Sequence, residues 1–195
     1  MEKNLASGMA LRLSSQLPTA MQHRPHRLAD QWRSHYRLEE PTLSTIADLL
    51  WSADIVLDLD VSSKTQLFEE IGRHMEKGHA MPKEWVALSL SRREQVGSTG
   101  LGEGVAVPHA RIKDLDRIQI AYFRLKSPIP FDAPDGNPVS DILVLLVPKE
   151  ATEEHLRILA EATQMFSDHQ FRQGLRSCND VQEAKRLFDG WSIPA

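Results

Sequence analysis

A chain of 195 residues with 41% hydrophobic and 26% charged side chains has the composition of an ordinary globular protein, long enough for one domain with a sizeable core. Its net charge of −4 argues against nucleic-acid binding, which needs a basic face to displace phosphate counterions. No apolar run approaches the ~18 residues a membrane span takes, no hydrophobic signal core opens the chain, and the lone Cys178 cannot form an internal disulfide, so no membrane insertion and a reducing, cytoplasmic setting are expected.

Residues 1–40 differ from the rest. Five arginines (12, 24, 27, 33, 37) and three histidines (23, 26, 35), broken by Pro18 and Pro25, read as an appended, poorly packed extension. It is a mobile tail, a partner-binding arm, or the product of an upstream start with Met9 or Met21 as alternatives. Thr42 to Trp51 carries a short helical pattern in Leu43, Ile46, Leu49 and Leu50. From Asp54 to Val61, Ile55, Leu57, Leu59 and Val61 alternate with aspartates as in a half-buried strand. Ser63-Lys64-Thr65-Gln66 is a capping box, opening a helix whose apolar face is Leu67, Ile71 and Met75 and which Gly78 ends. Pro82 opens the next helix, with Trp85, Leu88 and Arg92 along one side. That helix runs into Arg93 and a glycine stretch.

The glycine stretch reads Gly97-Ser98-Thr99-Gly100-Leu101-Gly102-Glu103-Gly104. Glycines at 100, 102 and 104 strip every Cβ from one side of the backbone, so N–H groups can converge on an anion. The spacing fits neither a Walker loop nor the dinucleotide fingerprint. Val105-Ala106-Val107 then reads as a short buried strand, and Pro108 sets the chain direction where His109 is delivered. The bland alternative is a glycine turn followed by an ordinary strand-end histidine.

Farther on, Ile118 to Leu125 reads as a strand, a proline-punctuated loop follows, and Ile142 to Val147 is a central strand buried on both faces. Thr152 caps a long helix with apolar positions 156, 159, 160, 163 and 166, and helices near 169–177 and 181–189 finish the chain. Strands and helices intermixed in this way predict an α/β fold with helices on both faces of the sheet.

Phosphoryl transfer to a histidine needs a neutral ring with one unprotonated nitrogen, the other held by a hydrogen bond, and donors for the charge spread over three oxygens. His109 is the acceptor candidate. Donor candidates are the backbone N–H groups around Gly100, Gly102 and Gly104, the hydroxyls of Ser98 and Thr99, and the guanidinium of Arg93. His155 falls in the first turn of the helix capped by Thr152, where the dipole disfavours imidazolium and favours an anion nearby. A zinc site of His109, His155 and a carboxylate lacks metal-binding spacing, and no Gly-x-Ser-x-Gly supports a serine hydrolase.

Arg93-Glu94 followed by Gly-Ser-Thr-Gly-Leu-Gly-x-Gly-Val-Ala-Val-Pro-His resembles the active-site signature of EIIA proteins of the fructose/mannitol class of the phosphotransferase system. Pro128 to Ala133, Asp141 to Pro148 and Glu154-His155-Leu156 are closest to the nitrogen-type branch, EIIA-Ntr, and the resemblance covers about residues 42–190 as one EIIA type-2 domain. The resemblance implies a mixed β-sheet, a phosphohistidine at His109 supplied by an HPr-like carrier protein, assistance from His155 and Arg93, and no cofactor or metal. It also implies a regulatory switch in nitrogen and potassium control, acting on targets such as potassium-transport or sensor-kinase components. The alternatives are an EIIA component of a fructose- or mannitol-type uptake system, which would need separate permease components, and an unphosphorylated binding module of the same fold. Glu103 departs from the pattern, where Asn or another small polar residue is expected; its carboxylate either weakens an incoming phosphate or faces outward.

Overall fold

A computed structural model describes residues 45–150 and 153–192. The extension at 1–40 and the cap expected from Thr152 lie outside them. Among the described residues no helix is long and apolar enough to cross a membrane. The elements run α1 (Ile46–Leu49), β1 (Ile55–Leu59), α2 (Lys64–His79), α3 (Lys83–Val96), β2 (Gly100–Gly102), β3 (Val105–Ala106), β4 (His109–Ile112), β5 (Gln119–Ile129), β6 (Val139–Pro148), α4 (Glu153–Ser167), α5 (His169–Ser177) and α6 (Val181–Gly190).

The sheet is mixed, in the order β1-β5-β6-β3-β2, with β4 also on β6. β6 pairs antiparallel with β5 and parallel with both β3 and β4; β1 runs parallel to β5, and β2 antiparallel to β3. A strand flanked on both edges and covered on both faces must be apolar at nearly every position. Six consecutive residues of β6, Ile142 to Val147, are accordingly buried. They alternate between two cores. Ile142, Val144 and Leu146 join Leu67, Ile71, Val86 and Leu90 of α2 and α3, whereas Leu143, Leu145 and Val147 join Ile46, Ile158, Phe171 and Phe188 of α1 and α4–α6. The predicted α/β sheet with helices on both faces is therefore the fold observed.

Four local expectations change. Asp54, read as one of the polar positions of the β1 alternation, is only 4% exposed, because it ends a single 3-10 turn and accepts hydrogen bonds from His74 Nε2 (3.0 Å) and His79 Nε2 (2.7 Å). Ser63 caps α2, but Gln66 answers Ser62 instead of Ser63, and the helix runs through Gly78 to a left-handed Ala80. On α3 the predicted face of Trp85 and Leu88 is exposed and the adjacent stripe of Val86 and Leu90 is buried; on α4 Leu156 is exposed and Ile158, Ala162, Met165 and Phe166 are buried. Finally, β5 continues past Leu125 through Pro128 to Ile129, with a register shift after Arg124 of the kind that accommodates a strand proline.

Candidate active site

The centre of the site is the step from β3 to β4. The Val107 N–H donates to the Thr99 carbonyl (3.0 Å) and the Pro108 carbonyl accepts from the Leu145 N–H (2.9 Å), so the backbone on both sides of His109 is fastened before β4 begins. The half-buried His109 ring is held from both ends. Its Nδ1–H donates to the Val107 carbonyl (3.0 Å), and its Nε2 accepts from the Arg93 Nε–H (3.0 Å). These two bonds select the Nδ1–H tautomer and leave the only ring lone pair at Nε2. Burial pushes the His109 pKa below its ordinary 6.5; the Val107 bond works against that, and the charges of Arg93 and His155 add to it. A neutral imidazole is the result.

Arg93 reaches His109 from the last turn of α3 and is braced by donating its Nη1–H to the Gly97 carbonyl (2.9 Å). His155 is half-buried in the first turn of α4, and its Nδ1, fully shielded from solvent, has no partner among the described residues. Arg93 thus contacts His109 directly, and His155 lies close enough for its charge to act on the ring.

The glycine stretch divides into two parts. Residues 97–100 adjoin the site, but their polar groups are engaged internally: Ser98 Oγ donates to the Phe131 carbonyl (2.7 Å) and accepts from the Gly100 N–H (3.1 Å), while Thr99 donates its N–H (3.1 Å) and Oγ1–H (2.6 Å) to Glu94. Gly100 is needed for packing, since a Cβ there would lie 2.9 Å from both Cα and Cβ of Ala133. Gly102 and Gly104 belong instead to a two-residue hairpin joining β2 to β3, whose central residues Glu103 and Gly104 take φ of 53° and 78°, as a type I′ turn requires. The Glu103 N–H is bonded to Asp135 (2.7 Å). Val105 pairs with Asp141 and His109 with Leu145, which puts the root of this hairpin about 13 Å from His109 along β6. Glu103 points its carboxylate to Arg172 Nη2 (3.4 Å), which resolves its two sequence readings in favour of facing away from the ring.

Two residues that sequence reasoning did not single out complete the surroundings. Glu94, beside Arg93, is 8% exposed and binds both Thr99 and Lys64. Lys64 Nζ contacts Glu94 (3.1 Å), Asp132 (2.7 Å) and the Phe131 carbonyl (3.1 Å). An acidic residue following Arg93 was the only sequence signal, and nothing local to Lys64 indicates it.

Residues 48–190 match the family described as "Phosphoenolpyruvate-dependent sugar phosphotransferase system, EIIA 2". A "Nitrogen regulatory protein" of Bradyrhizobium diazoefficiens is 34% identical over 137 residues, 70% of this chain and 90% of the relative, and one of Pseudomonas aeruginosa is 45% identical over 89 residues, 46% of this chain and 58% of the relative. Among solved structures, nitrogen regulatory protein IIA-Ntr of Neisseria meningitidis is 41% identical with a TM-score of 0.70, covering 73% of this chain and 98% of that one. The mannitol IIA of Escherichia coli shares the fold at 20% identity and a TM-score of 0.61, over 71% of this chain and 97% of that one. With the mixed sheet, the match over 48–190 and the nitrogen regulatory relatives in agreement, the chain belongs to the type 2 EIIA family of the phosphotransferase system, in its nitrogen regulatory branch.

Proposed function

We propose that this protein accepts a phosphoryl group on His109 Nε2 from an HPr-like phosphocarrier in the cytoplasm and reports its phosphorylation state by binding regulatory targets. The observation that carries the reading is the pair of hydrogen bonds on His109: Nδ1–H is committed to the Val107 carbonyl, and Nε2 presents a lone pair to a guanidinium. In the transfer the phosphorus–nitrogen bond to the carrier breaks as the bond to Nε2 forms, and the electron pair of the broken bond returns to the carrier's nitrogen. Arg93 then loses Nε2 as acceptor and turns its fork to the phosphoryl oxygens. His155, with its unpartnered buried Nδ1, serves as a second donor. Ser98, Thr99 and Gly100 shape the pocket wall, whereas Gly102 and Gly104 act through the hairpin that anchors β3.

Exposed apolar side chains lie beside these residues in the chain: Val96 is 85%, Leu101 40% and Leu156 61% exposed. Exposed apolar side chains next to polar site residues suit transient docking of a protein donor. Phosphorylation adds nearly two negative charges at His109, enough to change which partner binds. The nitrogen regulatory relatives support targets in nitrogen control, and potassium-transport or sensor-kinase components belong to the same proposal on the resemblance alone. Transfer from the phosphorylated carrier, followed by NMR of the histidine rings, tests the chemistry. The expected product is Nε2-phosphohistidine at residue 109, formed roughly 10²–10³-fold more slowly in Arg93→Ala and His155→Ala. Phosphorylation at another residue, or unchanged rates in both variants, would refute these assignments.

A further inference from the structure

Lys64 occupies an unfavourable place for a cation. It is the first residue of α2, where the helix dipole repels positive charge, and its side chain is only 25% exposed. Three acceptors compensate: the Asp132 carboxylate at 2.7 Å, and Glu94 Oε1 and the Phe131 carbonyl at 3.1 Å each. The ammonium also lies 4.7 Å from the centre of the Phe131 ring. Burial by itself would lower the Lys64 pKa, but the bonds to Asp132 and Glu94 outweigh it and hold the group above the ordinary lysine value. Glu94 gives its other oxygen to Thr99, accepting from both its N–H and its hydroxyl. One ion pair thus ties the start of α2 to the end of α3 and to the chain entering β2.

The turn closed by Glu94 and Thr99 contains Gly97, whose carbonyl is the brace for Arg93 Nη1. This matters because Nε2 of His109 has one lone pair. Arg93 Nε–H holds it at rest and must release it when phosphorus bonds there, while Nη1–H can stay on Gly97. On the reading that His109 is the phosphoryl acceptor, we infer that Lys64 and Glu94 are positioning residues that fix the Gly97 carbonyl as the pivot on which Arg93 turns from the His109 ring to the phosphoryl oxygens. Neither touches the reacting atoms. Their contribution is to keep the guanidinium within reach throughout the transfer, where a misplacement of about 1 Å can cost on the order of 10²-fold in rate.

The experiment uses the full chain with Glu94→Gln, Lys64→Met and Lys64→Arg, measuring single-turnover transfer from the phosphorylated carrier over a range of carrier concentrations, together with NMR titration of His109. Glu94→Gln and Lys64→Met should lower the saturating transfer rate constant by about 10–10²-fold with the half-saturating carrier concentration unchanged, and Lys64→Arg should recover part of the loss. Thr99→Val deletes the hydroxyl bond to Glu94 without removing a charge and serves also if the charge variants fail to fold. It should slow transfer in the same sense and, by loosening Arg93, raise the His109 midpoint as Arg93→Ala does, which loss of a charge beside the ring would not do. Wild-type transfer rates in the folded variants, with the His109 midpoint of Thr99→Val unmoved, would overturn the inference while leaving His109 as acceptor. A wild-type chain that takes no phosphoryl group would overturn the acceptor reading and the pivot with it.

Discussion

At His109 the two ring nitrogens have different fates because backbone and side chain approach from opposite ends. The lowered pKa, caused first by burial and then by Arg93 and His155 against the Val107 bond, keeps the ring neutral to a pH below the ordinary 6.5. The sign follows: an unfolded chain binds this proton more readily, so the stability tied to a neutral His109 is lost as pH falls through 6.5 towards the folded value. NMR should find the His109 midpoint below 6.5, and Arg93→Ala should raise it by removing a charge and admitting water. Acceptance of phosphate should fail only once pH drops below that midpoint. At this scale the sequence was informative about His109, Arg93 and His155, whose residue types and neighbours single them out and which the fold brings near one another. Lys64 and Glu94 were not legible, since their ion pair exists only after α2 and α3 pack and bring together positions 30 residues apart.

Single elements show which periodicities are ambiguous. α3 carries two apolar stripes one residue apart, Trp85 with Leu88 and Val86 with Leu90, and only the sheet and α2 decide that the second is buried. Asp54 is a comparable case at a strand end. Its alternation pattern matched solvent, yet it joins the turn before β1 to His74 and His79 of α2. Burial alone would raise its pKa, but the two imidazole bonds outweigh it and leave it below 3.8. Asp54→Ala should therefore destabilise the protein by about 1–3 kcal/mol at neutral pH. A depressed carboxylate contributes stability above its unfolded pKa and loses it as pH falls through the folded one, so the deficit should shrink well below pH 3.8 in denaturant titrations. In β2, Gly100→Ala would drive a methyl group into the Ala133 backbone, with an expected loss of about 1–3 kcal/mol and a lower Tm. An unchanged Tm would show that the hairpin can shift away from Ala133.

For the whole molecule, layer architecture was readable because the apolar run of β6 and the amphipathic helices leave few arrangements. Pairing order was not. The parallel alignment of both β3 and β4 on β6 comes from chain segments more than thirty residues away, and no local pattern encodes it. Residues 1–40 have the composition of an appended, poorly packed extension, with little apolar surface to bury. A chain beginning near Glu40 should therefore melt close to the full chain and accept phosphate at the same rate; a large drop in Tm would show that residues 1–40 dock on the domain. The most direct test of the account is intact-mass measurement after incubation with phosphoenolpyruvate, the first phosphotransferase enzyme and the carrier. The expected result is one acid-labile phosphoryl group on the wild-type chain and none on a folded His109→Ala variant. An unmodified wild-type chain, or a variant that still gains the phosphoryl mass, would contradict it.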